Sequence, residues 1–183
     1  LHGSSAASDV YKRQLLKSAQ VFDYVNHSEN YGIKISKSSV DFDSIISRSR
    51  GVADGMSKGV NFLMKKNKID ILNGFGKIIS KNEVEVTTEE NKKEIHKSDN
   101  IIIATGGRSR ELPNLKIDNE KVIEYRKAMT LEKQPKKMVV VGSGAIGSEF
   151  AYFYNSIGTE VILVEYLPNI LPLEDIDVSK QLE

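Results

Sequence analysis

Met-Val-Val-Val-Gly-Ser-Gly-Ala-Ile-Gly-Ser-Glu-Phe-Ala-Tyr-Phe-Tyr-Asn-Ser-Ile-Gly-Thr-Glu-Val-Ile-Leu-Val-Glu, residues 138–165, is the stretch whose reading decides the fold. An apolar run, Val139 to Val141, leads into Gly142, Gly144 and Gly147 at G-x-G-x-x-G spacing. A second apolar run ends in Glu165, 18 residues past Gly147. The pattern predicts strand, tight turn, helix, turn and strand, closed by an acid, which is a dinucleotide-binding fingerprint in its full context.

Each residue in the pattern has a physical reason. Gly142 permits the sharp turn, Gly144 lets the backbone approach a pyrophosphate, and Gly147 lets helix and strand pack closely. The helix opening at Ala145 and Ile146 offers unpaired N–H groups and a positive dipole end to phosphates. Glu165 is placed to accept hydrogen bonds from the adenosine ribose hydroxyls. No Arg follows it in Tyr166-Leu167-Pro168-Asn169, so a 2′-phosphate would meet uncompensated negative charge, and NAD is expected over NADP.

Composition narrows the rest. A chain of 183 residues can bury a real core. Its 26 basic and 25 acidic residues leave a net charge of +1, with no basic patch to suggest nucleic acid. No apolar stretch approaches the ~20 residues that span a bilayer, so a cytoplasmic protein without a membrane partner is the expectation. There is no cysteine, which excludes disulfides and thiol nucleophiles within the chain. His2, His27 and His96 lie far apart, giving metal binding little support.

Residues 1–14 show no apolar period and read as a non-native or disordered leader. From Leu15 the apolar positions predict a helix to about Ser28. A short extended piece at Ile33 to Ile35 follows, then a helix over 42–66 capped by Asp41. That helix carries Ile45, Val52, Met56, Val60 and Leu63 on one stripe, and its Gly51, Gly55 and Gly59 predict close packing against a neighbour. Ile69 to Leu72 reads as a strand, and residues 77–96 as a β-meander. The apolar run from Asn100 to Ala104 suits a strand buried on both faces. An irregular connection with one short helix near Tyr125 to Met129 leads to the fingerprint.

In this order, Leu15 to Ala19, Tyr31-Gly32-Ile33, Gly74 to Lys77, Ile101 to Gly106, Val139 to Glu149 and Glu165 to Pro172 resemble the flavin-dependent pyridine nucleotide-disulfide oxidoreductases, and among them the lipoamide-oxidising branch. The resemblance implies an α/β fold with two Rossmann-like dinucleotide-binding units, both incomplete. Residues 15–110 would be the latter part of an FAD domain with its meander, 111–130 a connection, and 131–183 the first part of an inserted NAD domain. It implies FAD near Gly76, Ala104, Thr105 and Gly106, and NAD near Gly142, Gly144, Ala145, Ile146, Gly147, Glu149 and Glu165.

In the family an acid at the place of Glu149 pairs with a lysine that follows the redox cysteines. Ungapped extension puts Arg13 at that lysine, and Ser4 and Asp9 at the cysteines, so no catalytic residue is expected in this chain. The expected partners of the whole enzyme are a lipoyl-bearing protein of a 2-oxoacid dehydrogenase or glycine-cleavage complex and a second copy in a homodimer. Another NAD(P)H-dependent disulfide reductase, or a non-catalytic NAD-binding module, is the alternative.

Overall fold

The computed structural model describes residues 5–183, with side chains from Val10 onward. The chain forms two compact units, one running up to Ala53 and resuming at Gly107–Glu183, the other Asp54–Gly106.

The first unit is built around the fingerprint. Strand β4 (Lys137–Val141) pairs in parallel with β5 (Glu160–Val164), in the register Met138↔Val161 and Val140↔Leu163. Between them runs α4 (Ala145–Ser156), which packs on both strands. Alternation along each strand sends Met138 and Val161 toward the core and leaves Val139, Val141, Ile162 and Val164 substantially exposed on the opposite face. Helix α1 (Ser5–Asn26) lies along α4 and contributes Leu15 and Ala19 to a core shared with Phe42, Ala128, Met129, Phe150, Phe153, Tyr154 and Ile157. The short α3 (Tyr125–Ala128) forms where expected, and the Tyr154 hydroxyl donates to the Ala128 carbonyl at 2.6 Å. Burial pushes the Tyr154 phenol pKa up, so the hydroxyl stays a donor.

Helix α1 begins ten residues earlier than the periodicity of Leu15 onward predicts. Residues 5–14 are therefore helical rather than an unstructured leader, while 1–4, with His2 and Ser4, lie outside the described residues. Two contacts that apolar periodicity does not register tie this segment down. The Tyr11 ring lies 3.9 Å from the Arg50 guanidinium, and Lys12 pairs with Glu149. Helix α5 (Ile176–Leu182) was not foreseen. Its signal is Asp175, whose side chain accepts from the Asp177 N–H at 2.9 Å.

Helix α2 (Phe42–Lys66) starts as predicted, with Asp41 accepting from the Ser44 N–H at 2.9 Å and the Ser44 hydroxyl at 2.8 Å. Its buried face is Phe42, Ser49 and Ala53, flanked by Ile45 and Ile46, whereas Met56, Val60 and Leu63 are exposed. A Cβ at Gly51, Gly55 or Gly59 would meet open space, so these glycines do not mark the close packing predicted for them.

The second unit holds the meander: β1 (Phe75–Ser80), β2 (Glu83–Thr87) and β3 (Lys93–Lys97), antiparallel in that order. Gly74 enters β1 with φ +158, and a Cβ there would lie 2.5 Å from the Thr87 carbonyl oxygen. Ile69 to Leu72 and Asn100 to Ala104, expected as strands, are not strands. Among the described residues neither of them has a partner strand with which to exchange backbone hydrogen bonds. Ile102 is accordingly 91% exposed instead of buried on both faces.

The βαβ geometry separates the roles of two glycines. A Cβ at Gly147 would sit 1.9 Å from the Gly142 carbonyl oxygen, while one at Gly144 would touch nothing. Gly147→Ala is therefore expected to destabilise the first unit by about 2 to 3 kcal/mol, and Gly144→Ala by less than about 0.5 kcal/mol. Urea unfolding curves of the two variants check the contrast, and equal losses would contradict it.

Candidate functional site

The site forms where β4 passes into α4. Gly142 takes φ +98, a conformation that only glycine adopts without strain, and its N–H still donates to the Val164 carbonyl at 2.8 Å. The turn therefore leaves the strand while the last ladder bond is intact. Gly144 is the N-cap of α4 in an extended conformation, with no side-chain cap. The N–H groups of Ala145, Ile146 and Gly147 fall in the first turn, where a helix offers no internal acceptor. Open space at the Gly144 Cβ position and a row of such donors at a helix start suit a phosphate group.

Glu165 closes the site from the end of β5. Its Oε2 accepts from the Ser143 N–H at 2.8 Å and the Ser143 hydroxyl at 2.7 Å. Its Oε1 accepts from the N–H groups of Tyr166 at 2.8 Å and Leu167 at 3.0 Å. These bonds, those from the Leu167 N–H and from Ser143 foremost, hold the carboxyl at a pKa of about 2. The acid is thus ionised and fixed in direction beside the glycine turn.

Ser143 is fully buried and ties several pieces together. Its carbonyl accepts from the Ser148 hydroxyl at 2.9 Å and the Leu171 N–H at 3.1 Å. Leu171 holds φ +46, a left-handed conformation uncommon outside glycine. The loop after β5 is thereby pinned to the turn. The sequence reading missed Ser143, since the second position of G-x-G-x-x-G is free in the pattern. A hydroxyl there, with an acid at the end of the next strand, was the available signal.

Glu149 is the fifth residue of α4, beyond the first turn, so the helix dipole acts only weakly on it. It pairs instead with the largely buried Lys12. Ungapped extension puts Arg13 at the family's lysine, and Lys12, one residue earlier, pairs with the acid. An open groove of about 650 Å³ lies beside the pair, bordered by Leu16, Tyr152, Leu171 and Val178. A larger cleft of about 970 Å³ runs along β4 and reaches Gly142, Ile146 and Gly147.

Gly142, Gly144, Ala145, Ile146, Gly147 and Glu165 thus gather at one place, with Glu149 further along α4. Gly76, Ala104, Thr105 and Gly106 belong to the other compact unit. Gly76 lies within β1 rather than in the preceding turn, opposite Val86. The position in that turn that requires glycine is Gly74. Ala104, Thr105 and Gly106 are exposed and outside regular structure, and Gly106 has φ +76.

Comparison with known proteins agrees with this geometry. A dihydrolipoyl dehydrogenase of Zymomonas mobilis is 43% identical over 167 residues, which cover 91% of this chain and 36% of that protein. One from Bacillus subtilis is 36% identical over 181 residues, covering 93% of this chain and 38% of the relative. The chain thus spans little more than a third of these relatives' length. The crystal structure of LpdA from Mycobacterium tuberculosis shares the fold, with a TM-score of 0.84 at 24% identity over 95% of this chain and 38% of that one. The family model for pyridine nucleotide-disulphide oxidoreductases matches residues 7–183, so that it begins within the segment the sequence reading had set aside. On that match, carried by a βαβ fingerprint formed in space, the chain belongs to the pyridine nucleotide-disulphide oxidoreductase family.

Proposed function

We propose that this chain is the cofactor-holding segment of a dihydrolipoyl dehydrogenase, an enzyme that oxidises protein-bound dihydrolipoamide with NAD through FAD and a redox disulfide. The observation that carries the reading is the placement of an ionised Glu165 beside a glycine turn that opens a helix. The turn donates N–H groups to a pyrophosphate, Gly144 leaves room for it, and Glu165 accepts from the adenosine ribose. When bound, FAD and NAD supply the electron and hydride chemistry, and the protein supplies position and electrostatics.

Glu149 and Lys12 form a charge pair next to the groove beside α4, suited to fix the far half of the dinucleotide. On the family pattern Gly76 and the exposed Ala104, Thr105 and Gly106 are assigned to FAD. The chain contains no cysteine, so the dithiol step needs sulfur atoms that these residues do not supply. A cytoplasmic location, a lipoyl-bearing partner protein and a homodimer complete the reading.

Three outcomes test it. In the complete enzyme, Glu165→Ala should weaken NAD binding by about tenfold or more, read by calorimetry, and an unchanged affinity would remove Glu165 from the site. The 183-residue chain should give no NAD-linked lipoamide turnover when FAD is added, in a spectrophotometric assay at 340 nm. Finally, Glu165 is held at about 2 against an ordinary 4.5, so its contribution to stability is complete above pH 4.5 and is lost as the pH falls toward 2. The melting temperature of Glu165→Gln should therefore fall less steeply than that of the unaltered chain over this interval.

A further inference from the structure

We propose that Ser143 is a place-holder for the ribose: its hydroxyl occupies, on Glu165, the acceptor position that an incoming ribose hydroxyl takes, and it must turn away for the nucleotide to bind. The inference rests on the NAD reading of this site and adds a residue that tunes its affinity.

The argument is a count of acceptor positions. An ionised carboxylate offers about four lone-pair sites. In this structure four donors meet Glu165: the Ser143 N–H, the Ser143 hydroxyl, the Tyr166 N–H and the Leu167 N–H. A ribose diol brings further O–H donors to a group already fully engaged, so a bond must be exchanged.

Three of the four donors are backbone groups. The Tyr166 and Leu167 N–H groups follow Glu165 directly in the chain, and the Ser143 backbone is clamped through its carbonyl by the Ser148 hydroxyl and the Leu171 N–H. Releasing any of them moves the turn or the loop. The Ser143 hydroxyl alone can leave by a rotation about χ1 between staggered positions. Since Ser143 is 0% exposed, the departing hydroxyl cannot exchange its acceptor for bulk water. Part of the gain from the ribose bond is therefore offset. Ser143 is in this sense a positioning residue, which acts on the nucleotide through Glu165.

The test measures calorimetric affinities of the 183-residue chain for NAD, ADP and 2′,3′-dideoxy-ADP, before and after Ser143→Ala. In the unaltered chain ADP should bind about tenfold more tightly than its dideoxy form. Ser143→Ala should tighten ADP and NAD by about fivefold and leave dideoxy-ADP unchanged, widening the gap to about fiftyfold. Ser143→Gly removes the same hydroxyl with a different steric demand and should widen the gap likewise, which keeps the test open if the alanine form does not fold. Weakening of all three ligands alike would assign Ser143 a purely structural role and overturn the proposal, as would a gap that stays constant in both variants. Failure of the unaltered chain to bind either NAD or ADP is a different result: it removes the NAD reading itself, and this inference with it.

Discussion

The approach of α4 to the end of β4 is the constraint on which the first unit depends. With no side chain at Gly147, the helix reaches the Gly142 carbonyl at a distance that any Cβ would forbid. That approach sets α4 against β4 and β5, aims its first N–H groups past the turn, and buries Phe150, Phe153 and Tyr154 in the core shared with α1. It also leaves Ser143 fully enclosed, with its N–H and hydroxyl on Glu165 and its carbonyl on Ser148 and Leu171. Turn, helix, second strand and following loop therefore share one polar node. A partly buried polar node of this kind stabilises most when each of its groups is satisfied, and here the donors and acceptors match.

What could be read from the sequence follows how local each signal is. Val139 to Glu165 encodes a complete βαβ unit within one continuous segment, and the periods, glycines and closing acid all point to the same answer. The meander was legible for the same reason, since its strands pair with their sequence neighbours. Asp41 as a cap was equally local. Ile69 to Leu72 and Asn100 to Ala104 carry strand-like composition, yet a strand exists only with a partner, and none is present among the described residues. Long-range pairs were the blind spot. Lys12 meeting Glu149 and Tyr11 meeting Arg50 join residues that no periodicity relates, and they extend α1 into a segment whose composition reads as featureless.

The α2 stripe shows the same limit within one helix. Period 3.6 correctly makes 42–66 helical, but the face that is buried runs through Phe42, Ser49 and Ala53 and not through Met56, Val60 and Leu63. Small residues on the inner face let the helix approach the core, and the larger apolar groups further along remain in contact with solvent. Hydrophobicity alone ranks these positions in the wrong order, because burial depends on which residues a neighbouring element can reach.

Charge around Glu165, the proposed ribose position, bears on the choice of nucleotide. Glu165 keeps a full negative charge at neutral pH, because four donors favour the ionised form. The loop that follows runs Tyr166-Leu167-Pro168-Asn169-Ile170-Leu171-Pro172-Leu173 without a cation and continues into Glu174 and Asp175. A 2′-phosphate carried to this place would add its charge to that of an acid whose donors are already engaged. A 2′-hydroxyl asks only for an acceptor, which the carboxylate provides once a side-chain donor turns aside. On the proposed reading, the same four bonds that fix the carboxylate favour the unphosphorylated ribose, because they keep the acid ionised without placing a positive charge beside it.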